Sequence, residues 1–185
     1  MQDKLQDKLQ DKPQKIKWTQ KTNFNCRGRY LLLLISLILV VIDQITKWEV
    51  RHSLSLYEVK TVIPNYWNWT LAYNKGAAFS FLANQNSDWP RLFFGIIAVV
   101  ISILLVNYIL SKSYSKLTGV AVSFILGGAI GNLLDRIILG KVTDFIQWYF
   151  KTHYWPAFNF ADSCICIGVT LLIIDGICFS KDRHC

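Results

Sequence analysis

The chain has 185 residues, the size of one ordinary domain, of which 52% are hydrophobic, 14% aromatic and only 17% charged, with a formal charge of +8. So large an apolar share excludes a disordered protein. The charge is uneven: residues 1–29 carry eight Lys/Arg against three Asp, a surplus of +5, which leaves +3 for the other 156 residues. With the excess in a tail and beside apolar runs, and no basic polar domain to go with it, a membrane rather than nucleic acid is the expected partner.

Residues 1–29 form a basic cytoplasmic tail. Its opening dozen residues repeat Gln-Asp-Lys-Leu with a period of four before Pro13, the pattern of a solvated segment outside the functional argument. Segment 31–42 is apolar but for Ser36, and continues through Asp43, Gln44, Ile45, Thr46, Lys47 and Trp48, which predicts a helix over about 30–48. A cleaved secretory signal is the competing reading, but no small-x-small site follows, so the segment is read as retained.

Between this helix and the next, over about 55–83, the period changes. Trp67, Trp69, Leu71 and Tyr73 alternate with Asn68, Thr70 and Ala72, the two-residue rhythm of a strand with one apolar face. Asn74-Lys75-Gly76 supplies a turn, and 77–81 is expected to return as a second strand. An isolated hairpin is marginal in water, so this one is expected to rest on the bilayer or on the helix ends, either as a structural loop with an aromatic belt or as a cradle for a membrane-embedded substrate.

Three more apolar runs follow. Segment 92–110 is uncharged, about 28 Å long at 1.5 Å per residue, and matches a hydrocarbon core of roughly 30 Å. Segment 117–134 is uncharged until Asp135 and Arg136, and 161–179 carries Asp162 at its start and Asp175 near its end. Helices are predicted over about 91–111, 117–138 and 160–179. The fold class is therefore an all-α integral membrane protein, with four transmembrane helices and a small extracytoplasmic β-hairpin between the first two. Residues 30–180 form one membrane domain, followed by a cytoplasmic C-terminus at 181–185.

Placing both termini in the cytoplasm leaves twelve Lys/Arg inside against eight outside. Six of the seven Trp lie in or beside the two outer connections. The five Cys (26, 164, 166, 178 and 185) avoid those connections, so no disulfide is expected. His52, His153 and His184 lack metal-ligand spacing, and no metal site is expected.

Ionisable groups inside spanning segments cost roughly 2.5–3.5 kcal/mol each at the bilayer centre and point to function. Asp43 and Lys47 are i and i+4 on one helix face; Asn132, Asp135 and Arg136 share another. Asp43–Lys47 and Asp135–Arg136 read as ion pairs that fix helix ends, and Asp175 as interfacial. Asp144 and Asp162 have no equally good local cation, and chain direction puts both at the outer level. Gly127 and Gly131 give a Gly-x-x-x-Gly spacing suited to close helix packing. Two carboxylates in a poorly solvated site cannot both ionise easily: the charged member can activate water while the protonated one donates to a carbonyl, which is aspartic peptide hydrolysis. A small proton-linked transporter, a non-enzymatic scaffold and a serine/lysine signal peptidase are the alternatives. A transporter would spread its ionisable groups across the membrane depth, and no Ser is paired with a Lys in the polar layer.

Five blocks in order, Asp43-Gln44-Ile45-Thr46-Lys47, Tyr73-Asn74-Lys75-Gly76-Ala77-Ala78-Phe79, Gly127-Gly128-Ala129-Ile130-Gly131-Asn132-Leu133-Leu134-Asp135-Arg136, Val142-Thr143-Asp144-Phe145 and Pro156-Ala157-Phe158-Asn159-Phe160-Ala161-Asp162, together resemble the bacterial lipoprotein signal peptidases of type II. The resemblance covers about residues 30–179. It implies an aspartic endopeptidase of the inner membrane, without cofactor or metal, that cuts prolipoproteins just before a Cys bearing diacylglyceryl. By position it assigns Asp144 and Asp162 as the catalytic pair. Asn74, Asn132, Arg136 and Asn159 become polar residues that support substrate or pair, and Asp43, Lys47 and Asp135 a structural polar set. The expected partners are diacylglyceryl-prolipoproteins and membrane lipid, with the protein as a monomer.

Overall fold

The computed structural model describes residues 25–76, 89–111 and 113–179. Most of the basic tail, the expected return strand at 77–81 and the C-terminus at 181–185 lie outside the described residues. Among the described residues, four helices are long and apolar enough to cross a membrane: α1 (Cys26–Ser53), α2 (Trp89–Ser111), α3 (Lys116–Leu139) and α4 (Phe160–Phe179). The fold is mostly helical, with one small antiparallel sheet of strands β1 (Val59–Ile63), β2 (Trp67–Asn74), β3 (Val142–Phe150) and β4 (His153–Tyr154).

Local chemistry sets the helix ends. Asn25 caps α1 by accepting the Gly28 N–H at 2.9 Å, and Ser115 caps α3 by accepting the Thr118 N–H at 2.9 Å. Gly140 ends α3 in the left-handed region (φ +73°), its N–H bonded to the Arg136 carbonyl. That turn delivers the chain directly into β3. α1 continues to Ser53, a full turn past the expected end near residue 48, and carries Arg51 onto the face already holding Asp43 and Lys47.

α3 is the central helix and packs against the other three. Its glycines permit the close approach: a Cβ at Gly131 would sit 2.6 Å from Asp43 Oδ2 of α1, and one at Gly128 would collide with the Ala161 carbonyl of α4. Gly131 thus lets α1 in, while the neighbouring Gly128 serves α4. α2 buries only Pro90 and Ile109 and presents most of its apolar surface outward, as a helix facing lipid does. Away from the sheet, Leu32, Ile109, Tyr114, Val122 and Leu126 form the apolar core.

The sheet differs from the expected hairpin in its pairing. β2 pairs with β1 on one side and on the other with β3, which belongs to the connection between α3 and α4. Trp148, Tyr149 and Phe150 with Ile146 supply the β-favouring residues, but nothing local to either segment specifies that they pair across some seventy residues of sequence. The register Asn74↔Val142, Tyr73↔Thr143, Ala72↔Asp144 joins both connections at the helix ends.

Candidate active site

The first turn of α4 organises the polar layer. Asn159 is its N-cap: Asn159 Oδ1 accepts the Asp162 N–H at 2.9 Å while Asp162 Oδ2 accepts the Asn159 N–H at 3.2 Å, a reciprocal capping box. The Ala161 N–H, another donor left free at a helix start, is taken by Asp43 Oδ1 of α1 at 3.0 Å. Asn159 reaches this position because Phe158 exchanges backbone hydrogen bonds with Ile146 of β3. Its side-chain amide then lies beside β3, and Nδ2 donates to Asp144 Oδ1 at 2.8 Å. One fully buried asparagine therefore touches both Asp144 and Asp162.

A second asparagine is oriented from α1. Lys47 is completely buried; its ammonium lies 2.8 Å from Asp43 Oδ2 and 3.6 Å from Asp135 Oδ2, and donates to Asn132 Oδ1 at 3.0 Å. An ammonium can only donate, so the Asn132 oxygen must face it and the Asn132 amide must face away. That amide donates to Asp162 Oδ1 at 2.8 Å, and Asn159 Nδ2 completes the ring by reaching Asn132 Oδ1 at 3.1 Å. The lysine thus fixes which end of Asn132 meets Asp162.

Asp144 stands at the start of β3, buried, opposite the small Ala72. Asn74, two residues along β2 on the same face, hydrogen-bonds to it, and the Gly76 N–H holds the Asn74 oxygen at 2.8 Å. Burial, then the nearby Asp162 carboxylate, push the Asp144 carboxyl up to about 7 against the opposing hydrogen bonds. Arg136 lies within electrostatic reach of both carboxylates, its guanidinium 5.7 Å from the Phe94 ring centroid.

All nine residues singled out in the sequence therefore stand at the sheet end of the bundle; the Asp43–Lys47 pair forms as expected, but the Asp135–Arg136 pair does not. Asp135 is paired with Lys47 and, at 3.8 Å, with Arg51, while Arg136 turns back to donate to the Asn132 carbonyl at 3.1 Å. Adjacent residues on a helix point about 100° apart, which separates Asp135 from Arg136. Asp175 is buried within the protein, accepting from Ser115 Oγ at 3.1 Å and Thr118 Oγ1 at 2.6 Å at the start of α3. Sequence reasoning also passed over Gln44, whose amide donates to Asp43 Oδ2 and the Gly131 carbonyl, and Arg51, which donates to Thr143 Oγ1 at 3.1 Å. The i+4 step from Lys47 to Arg51 was the available signal, hidden by ending the helix too early.

A family model described as Signal peptidase (SPase) II matches residues 35–178. The chain is 50% identical over 151 residues to the lipoprotein signal peptidase of Pseudomonas putida, covering 80% of this chain and 87% of that protein. It is 42% identical over 161 residues to that of Neisseria gonorrhoeae, covering 87% and 96%. A bacterial membrane enzyme solved by the in meso method superposes with a TM-score of 0.73 at 31% identity, covering 89% of this chain and 96% of that one. A second such structure gives 0.70 at 34% identity over 85% and 96%. Four spanning helices, a polar layer at one end of them and this set of likenesses lead to one conclusion: the chain belongs to the signal peptidase II family, and is a peptidase of the bacterial inner membrane.

Proposed function

We propose that the chain is an aspartic endopeptidase that removes the signal peptide from diacylglyceryl-modified prolipoproteins, cutting just before the lipidated Cys, with Asp144 and Asp162 as the catalytic pair. The observation that carries this reading is the Asn159 bridge, whose Nδ2 donates to buried Asp144 and whose backbone N–H donates to half-buried Asp162, with the Asp144 carboxyl pushed up to about 7. Asp144 keeps the shared proton. Asp162 accepts from Asn132 Nδ2 and from the Asn159 N–H, and in this reading takes the part of the base.

The chemistry follows from that division. Asp162 takes a proton from a water whose oxygen adds to the scissile carbonyl carbon, while Asp144 passes its proton to the carbonyl oxygen. On collapse the C–N bond breaks, the proton on Asp162 goes to the leaving nitrogen, and a hydroxyl of the intermediate returns a proton to Asp144. Arg136 and Asn74 border the pair and steady the developing charge.

A diacylglyceryl anchor holds the cleavage point at the membrane surface, so hydrolysis belongs where the helices end and water arrives. The polar layer lies at such an end, and both termini on the cytoplasmic side would face it to the periplasm. The sheet is proposed as the cradle: β2 and β3 pair Trp67 with Trp148, and Trp69 packs on Trp67 and Phe145. The protein acts as a monomer surrounded by lipid. A transporter is less well supported, because between the polar layer and Asp175 the buried polar groups of the spans are the hydroxyls of Ser36 and Ser123, among the described residues. The direct test is a gel-shift cleavage assay on a lipidated precursor. Asp144→Asn and Asp162→Asn each abolish turnover while the protein stays folded; retained cleavage in either refutes the assignment.

A further inference from the structure

Within the proposed reaction, the position of Asp144 relative to Asp162 has to be set between two separate pieces of chain, β3 and α4. Asn159 joins them from the α4 side. On the β3 side the residue before Asp144, Thr143, is fully buried and held by two polar groups. Its backbone N–H donates to Asp135 Oδ2 at 2.8 Å, and its hydroxyl accepts from Arg51 Nη1 at 3.1 Å. The same guanidinium nitrogen lies 3.8 Å from Asp135 Oδ1. Arg51 therefore closes a triangle of α1, the end of α3 and the start of β3.

We infer that Arg51 is a positioning residue for Asp144, acting through the Thr143 hydroxyl to fix the height at which β3 presents its carboxyl to Asp162. Burial alone does not account for this contact. Arg51 retains about 20% of its side-chain surface, whereas Lys47 beside it is at 0% and lies between Asp43 and Asp135, so that Arg51 supplies the second positive charge against these two acids. Beyond that charge, Arg51 adds the link to β3, made by a planar fork whose reach an ammonium on a different stem does not reproduce.

The inference rests on the proposed catalytic pair, and the experiment separates the two. Single-turnover and steady-state cleavage of a lipidated precursor are measured for Arg51→Gln, Thr143→Val, the double variant and Asp144→Asn. Each single change lowers kcat about tenfold with KM within about twofold, because geometry between catalytic groups rather than substrate binding is disturbed. The double variant loses no more than the worse single variant, because both remove the same bond. Additive losses, a rise in KM alone, or full activity in Arg51→Gln overturn the inference. Should Arg51→Gln lower the melting temperature markedly, Thr143→Val decides, since it exchanges only a hydroxyl for a methyl. Active Asp144→Asn refutes the catalytic pair itself, whereas inactive Asp144→Asn beside a fully active Arg51→Gln refutes only the role of Arg51.

Discussion

The two ends of the helix bundle each bury a carboxylate at the start of a helix, and they treat it differently. At the end away from the sheet, Asp175 of α4 is met by the hydroxyls of Ser115 and Thr118 at the first turn of α3. At the sheet end, Asp43, Asp135, Asp144 and Asp162 converge on one lysine, two arginines and a set of asparagines. The first arrangement ties two helices together around one acid. The second holds several acids in a single hydrogen-bonded unit, two of them bridged by one asparagine through its side chain and its backbone N–H. A buried acid is thus by itself a poor marker of chemistry; what marks the sheet end is two acids brought together from different elements, with donors shared between them.

That contrast breaks most visibly at the pair. Asp144→Asn and Asp162→Asn are expected to lower kcat by about a thousandfold or more in the gel-shift assay, without loss of fold. Lys47→Met comes next. It leaves Asp43 and Asp135 buried without their ammonium, a loss of about 3–5 kcal/mol of stability for breaking a buried pair, and it frees Asn132 to turn. Thermal unfolding in detergent should show a strongly lowered midpoint, with little active protein recovered.

Acidity sharpens the comparison further. Asp144 holds its proton below about 7 and surrenders it above. As the donor to the carbonyl oxygen it must be protonated, so kcat falls as pH rises through about 7, approaching tenfold per pH unit beyond it. A kcat that stays flat from pH 6 to pH 9 would contradict that role. The smallest effect is expected at the other end. Asp175→Ala leaves the Ser115 and Thr118 hydroxyls without their acceptor, costing about 1–3 kcal/mol in unfolding measurements and leaving the kcat of the folded fraction unchanged.

Much of this molecule is legible in one dimension because a bilayer imposes so simple a demand. About twenty apolar residues in a row make a spanning helix whatever the rest of the chain does, and an acid within or beside such a run stands out. Asp43 and Lys47 could be paired from their spacing alone, since one helix holds both. Asp144 and Asp162 could be singled out because no local cation matched them.

The partners chosen across space were not legible. Asp135 takes Lys47 and Arg51 in preference to its sequence neighbour Arg136, because side-chain direction on a helix outweighs adjacency. β2 pairs with β3 rather than only within its own connection, and Asp175 finds hydroxyls on another helix. The sequence by itself determined the number of spans, the helices that carry Asp43, Asp135 and Asp162, and the end at which the acids gather. Only the tertiary structure decided which amide faces which carboxylate, because hydrogen bonds act over about 3 Å, and contacts that short exist only after helices and strands distant in the chain have packed.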